Sequence, residues 1–164
     1  MCKLGFVSRI FFIVFCLMAH ISVLADDSFL SLGVGHSYGG AGVKYSHTLG
    51  EGHIYGGLGV LAYSSDTGAH SGYALGYEYP VISERQLWGV FWGKVAATLS
   101  ETGSNDYVGG GITYSYYWGD VQGNSWILGG SLAYGKRDIP SWVQDPSQYD
   151  NDKFNALIMF GYQF

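Results

Sequence analysis

Four histidines follow the first 25 residues of this chain: His36, His47, His53 and His70. Imidazole is the side chain best suited to act as a general base or a metal ligand near neutral pH. A Ser–His nucleophile needs its hydroxyl within hydrogen-bond reach of the ring and a third group to orient the ring. On a single β-strand this demands i, i+2 spacing, because adjacent side chains point to opposite faces. The residues two after the histidines are Tyr38, Leu49, Tyr55 and Gly72, none of them Ser or Asp. The pairs His36-Ser37, Ser46-His47 and His70-Ser71 are adjacent, which is the wrong spacing. Only a cross-strand pair stays open, so no catalytic residue is assigned. No metal is expected either: Asp145, Asp150 and Asp152 lack the Gly and terminal Glu of a calcium loop and read as a solvated surface. Gly33-Val34-Gly35 and Gly56-Gly57-Leu58-Gly59 imitate phosphate loops, but no helix pattern follows either one, so no nucleotide cofactor is expected.

Three residues charged at neutral pH fall in the interior of strand-like segments: Lys44, Glu78 and Lys94. Facing a barrel lumen they would form an ion-pair network, since a lone charge there is costly.

The elements that hold these residues follow from composition and periodicity. Residues 1–25 have the form of a cleaved secretory signal peptide. Lys3 and Arg9 give a basic start, Ile10–Ala19 is an apolar run too short to cross a bilayer as a helix, and Val23-Leu24-Ala25 offers a cleavage site. Both cysteines, Cys2 and Cys16, lie in this segment, which leaves residues 26–164 without a disulfide or thiolate site. Removing Lys3 and Arg9 from eight basic residues leaves six against thirteen acidic ones, a net charge of −7. That balance argues against nucleic acid as a partner.

No segment after residue 25 reaches about 18 continuous apolar residues. The recurring pattern is alternation over roughly ten residues between turn signals. Eight such segments are expected: Ser28–Ser37, Ala41–Thr48, His53–Tyr63, His70–Tyr79, Leu87–Thr98, Tyr107–Trp118, Ser125–Gly135 and Lys153–Phe164. The fifth alternates least cleanly. One face carries Leu, Ile, Val, Tyr, Trp and Phe, and the other carries Gly, Ser and the few charges. Bulky apolar residues outside and small polar ones inside are the reverse of a soluble sandwich. The expected fold is therefore all-β, an eight-stranded antiparallel transmembrane β-barrel in an up-and-down meander, filling residues 26–164, its interior packed by its own side chains. Short periplasmic turns are expected at Leu49–Gly52, Pro80–Gln86 and Gly119–Asn124. Outer loops are expected at Tyr38–Gly40, Ser64–Ala69, Leu99–Asp106 and Lys136–Asp152. His36 and His70 then fall at the outer rim, and His47 and His53 flank a periplasmic turn.

The chain ends Met159-Phe160-Gly161-Tyr162-Gln163-Phe164. An aromatic-Gly-aromatic-x-Phe terminus resembles the signal by which bacterial outer-membrane barrels are recognised by the barrel assembly machinery, with Phe160, Gly161, Tyr162 and Phe164 as its residues. In length, strand count and Gly/Tyr-rich alternation the chain is similar to the opacity-type and outer-membrane-protein-X-type small barrels. The resemblance implies a Gram-negative outer-membrane location reached through the periplasm, contact with outer-membrane lipid and lipopolysaccharide, and a structural or surface-interacting role through the outer loops. Ile139, Trp142, Val143 and Tyr149 in the longest loop are the contact candidates for an extracellular ligand. The alternative is a lipid-modifying enzyme of the lipid A deacylase or acyltransferase type.

Overall fold

A computed structural model describes residues 27–64, 68–100, 103–137 and 153–164. They form one closed barrel of eight antiparallel strands in sequence order, β1 pairing with β8. The strands are β1 (Ser28–Gly35), β2 (Gly40–Leu49), β3 (Gly52–Ser64), β4 (Gly68–Ser83), β5 (Gln86–Ser100), β6 (Gly103–Tyr117), β7 (Ser125–Arg137) and β8 (Phe154–Gln163). The all-β meander expected from the alternation is the fold observed. No helix among the described residues is long and apolar enough to cross a membrane. Residues 1–25 lie outside the described residues, as do Ile139, Trp142, Val143 and Tyr149.

The alternation has the expected direction. Leu32, Val34, Leu58, Leu75, Val90, Ile112, Leu132, Ile158 and Phe160 all point outward and are exposed. Ser31, Lys44, Glu78, Thr113, Ser115 and Gln163 point inward and are buried. The interior is nevertheless not only small and polar. Phe29, Tyr55, Leu87, Phe91, Tyr107, Tyr117, Ile127 and Met159 are buried there as well. This explains the blurred pattern of β5: its inner face contributes Leu87, Phe91 and Val95 to the packed lumen, while Trp88, Val90 and Trp92 stand outside. A bulge between Lys94 and Ala96 shifts its register once more.

The ladder climbs as it goes round. From Leu32, which pairs with Tyr162 on one side, the register on the other side runs through Val43, Leu58, Tyr73, Lys94 and Val108 to Lys136. Traced in the same way from Leu30, whose carbonyl accepts from Phe164, the register runs through Tyr45, Gly56, Leu75, Trp92, Gly110 and Tyr134 to Phe154, ten residues from Phe164. A stagger of that size in eight strands goes with a strand tilt of roughly 35–45°. Strand lengths are uneven. β4, β5 and β6 have 16, 15 and 15 residues, whereas β1 has eight and β2 ten. The end bearing the β2–β3, β4–β5 and β6–β7 connections is called the turn end below, and the opposite one the loop end.

Candidate functional site

The chemistry-bearing residues meet in the lumen, and the element that organises them is the β1–β2 connection. Instead of projecting as an outer loop, it tucks into the barrel. His36–Tyr38 form one turn of 3-10 helix, and His36, Ser37 and Tyr38 are each at most 1% exposed. Gly35 (φ 122°) and Gly39 (φ 62°) make the entry and exit, in backbone conformations that a Cβ would penalise. The rim position expected for His36 is thus corrected. A hairpin this short, with glycine at both ends, can fold inward only because the facing strands carry glycine too. A Cβ on Gly57 would come within 2.0 Å of the Ser37 carbonyl, and one on Gly161 within 2.0 Å of the Tyr38 hydroxyl.

The turn seats on a polar floor. Lys44 Nζ donates to Glu78 Oε2 at 3.3 Å and to the Tyr117 hydroxyl at 3.3 Å. Glu78 Oε1 accepts from Ser115 Oγ. The Lys44 ammonium also faces three aromatic rings, with centroids of Tyr55, Tyr117 and Tyr38 at 5.1, 5.8 and 6.0 Å. Lys44 is 0% and Glu78 1% exposed. Two of the three expected network members are therefore brought together.

The third is not. Lys94 pairs in register with Tyr73 and Val108, on the outward face shared with Trp92, and bonds Asp106 at 2.9 Å. Its place in the lumen network is corrected to an outer-wall ion pair, because the alternation of β5 turns even-numbered residues outward as far as the bulge. Sequence reasoning missed Tyr38, Tyr55, Tyr117 and Ser115 as partners. The period-2 pattern marked Ser115 as inward-facing, but nothing in it says which inward residues of non-adjacent strands touch.

The histidines separate. His36 Nε2 and Thr113 Oγ1 lie 2.9 Å apart across the lumen, and the His36 ring packs 4.8 Å from that of Phe91. That spacing satisfies the nucleophile–base criterion that no local pair met. Yet both residues are 1% exposed, Thr113 also donates to the Gly130 carbonyl, and His36 Nδ1 has no partner among the described residues to orient it. The contact anchors the turn. His53 is buried at the turn end beside Thr48, His47 is exposed with Ser28 Oγ at 2.9 Å, and His70 pairs in register with Ala62. No group of three potential metal ligands converges among the described residues.

Below the polar floor, Tyr38, Leu87, Tyr117, Val121, Ile127 and Met159 close the lumen toward the turn end. The β6–β7 connection folds under the barrel there. It is held by Gln163 Nε2, which donates to the carbonyls of Val121 at 2.6 Å and Gly123 at 3.1 Å. A mouth of about 480 Å³ lined by Glu51, His53, Glu84 and Asp120 opens beneath it. The terminal residues Phe160, Tyr162 and Phe164 stand on the outer face of β8 with Trp126, which stacks on Phe160 at 5.2 Å. Gly161 faces inward, under the Tyr38 ring.

No protein-family model, curated protein or solved structure matches this chain.

Proposed function

We propose that the protein is an integral outer-membrane β-barrel with a filled interior, structural or surface-interacting through its loop-end connections, and not an open pore. One observation carries this reading: the barrel is apolar outside and polar at heart. A continuous wall of exposed Leu, Val, Ile and aromatic side chains surrounds a fully buried Lys44–Glu78 pair. In water such a wall would be an aggregation surface far larger than soluble proteins tolerate. In a bilayer it is the required one, and a closed barrel leaves few backbone groups unpaired there.

Aromatic side chains support the same reading. Tyr45, Tyr79, Trp88, Trp118, Trp126 and Phe164 stand outward near the turn end, and Tyr63, Trp92, Tyr134 and Phe154 toward the loop end. They flank a band of aliphatic residues as interfacial girdles do. The Lys94–Asp106 pair lies beyond Trp92 on the loop side, where charges on a wall meet headgroups. Filling of the lumen by the His36–Tyr38 turn supports a non-conducting barrel.

Export through the periplasm, recognition of Phe160, Gly161, Tyr162 and Phe164 by the assembly machinery, and contact with lipopolysaccharide belong to this proposal. So does recognition of an extracellular ligand through the loop holding Ile139, Trp142, Val143 and Tyr149. Fractionation tests the core of it. The protein should stay with outer membranes through a carbonate wash and migrate differently in gels before and after heating. Release into the soluble periplasmic fraction overturns it. Deleting Phe164 should reduce the assembled fraction, and deleting residues 140–150 should leave assembly intact while removing any surface binding.

A further inference from the structure

The barrel is closed unevenly. β1 pairs with β8 over four residues only, from Ser31↔Gln163 to Val34↔Phe160. At Gly35 the chain turns into the lumen, so among the described residues the loop-end half of β8, Phe154–Ile158, has no strand beside it on the β1 side. On the far side of the tucked turn, β3 likewise runs beyond Val60, the last residue paired with β2. The result is a notch in the wall between β8 and β3, with the β1–β2 turn as its floor. Three of the most exposed large apolar side chains flank it: Ile158 at 76%, Phe154 at 75% and Tyr63 at 72%.

The notch is lined by backbone as well as by hydrocarbon. The Phe164 N–H donates to the Leu30 carbonyl of β1, whereas the Lys153 carbonyl accepts from Gly135 of β7. Successive residues of an antiparallel strand turn their backbone groups to opposite sides. Even-numbered residues of β8 therefore present N–H and C=O toward β1, and for Ala156 and Ile158 no partner stands there among the described residues. The Ile158 carbonyl lies against Gly35, two residues beyond Val34↔Phe160, where the register between β1 and β8 ends. These groups sit between the loop-end aromatics, to which Phe154 belongs, and the turn-end ones, to which Tyr162 and Phe164 belong.

We infer that this notch is a lateral site for the head–tail junction of an acylated lipid of the outer leaflet, one carrying amide or hydroxyl donors beside its carbonyl acceptors. The inference rests on the membrane reading above. At hydrocarbon depth an unpaired backbone group costs several kcal/mol. Alkyl chains cannot satisfy it, and ester carbonyls satisfy only the N–H groups. Amide and hydroxyl groups near the headgroup boundary satisfy both kinds, while their acyl chains cover Phe154 and Ile158.

The test is amide hydrogen exchange on the protein reconstituted in phosphatidylcholine nanodiscs, with and without purified lipid A. Leu157 and Met159, whose N–H groups point to β7, are protected in both. The amides of Ala156 and Ile158 should exchange faster than these in phosphatidylcholine and slow at least fivefold with lipid A. Ala156→Pro, which removes an N–H facing the notch, should assemble normally and hold lipid A roughly fivefold more weakly, the effect of one hydrogen bond. Leu157→Pro, which breaks the β7 ladder, should fail to assemble. Protection of Ala156 and Ile158 equal to that of Leu157 without lipid A overturns the inference, because protein then closes the notch. Unchanged exchange on adding lipid A overturns it as well. Failure to enter nanodiscs at all, with no heat-modifiable migration, counts instead against the membrane reading.

Discussion

Two lysine–carboxylate pairs mark opposite faces of the same wall. Lys44 and Glu78 face the lumen and are 0% and 1% exposed, with Ser115, Tyr117 and three aromatic faces around them. Lys94 and Asp106 lie on the outside near the loop end, 20% and 24% exposed, and one carboxylate oxygen of Asp106 has no hydrogen-bond partner among the described residues. The chemistry is the same, but the surroundings differ. A buried pair is costly to form and far more costly to break, whereas a partly exposed one changes stability little in either direction. The inner pair therefore fixes the barrel's interior, and the outer pair is incidental to it.

That contrast can be broken in order of effect. The largest change is expected from Glu78→Ala, which strands the Lys44 charge and leaves Ser115 without its acceptor. Denaturant unfolding in detergent should show a loss of roughly 3–5 kcal/mol. Replacing both partners, Lys44→Met with Glu78→Leu, should recover most of it, and the double-mutant cycle would give the coupling directly. If the double variant is no more stable than Glu78→Ala, the pair is not what holds the lumen. Next comes the seat of the turn. Gly57→Val drives a side chain into the Ser37 carbonyl and should cost about 1–3 kcal/mol by overpacking. It should also expose a cysteine placed at Ser37 to a water-soluble maleimide. Labelling no faster than in the Gly57 parent would show the turn seated elsewhere.

Smaller effects sharpen the picture. Among the described residues the Tyr38 hydroxyl, buried beside Ser31, makes no hydrogen bond of good geometry, so Tyr38→Phe should keep the ring packing and leave stability equal or up to about 1 kcal/mol higher. A marked loss would reveal a partner for that oxygen. The smallest effect is expected at the outer pair. Lys94→Ala should change unfolding free energy by less than about 1 kcal/mol, with a still smaller change at high salt. A loss near that of Glu78→Ala would erase the distinction between the two pairs.

The sequence by itself determined the strands, their faces and their order. Alternation with period two separates Leu32, Val43, Leu58 and Ile158 from Ser31, Lys44, Gly57 and Gln163 without any knowledge of contacts, because the pleat enforces it residue by residue. It also put Lys44 and Glu78 on the inner face. It did not determine that Lys94 turns outward, since apolar residues on both faces of β5 hide the parity there and only pairing with Tyr73 and Val108 resolves it. Nor did it determine the fate of His36–Tyr38. A short stretch flanked by glycines reads equally as an outer loop or an inward turn. What decided between them is tertiary: glycines on strands far apart in sequence, Gly57 and Gly161 among them, leave a space in the lumen that this turn fills. The His36–Thr113 contact and the notch above the β1–β2 turn follow from the same event. They depend on where a closed, tilted ladder brings distant residues together, and local periodicity carries no record of that.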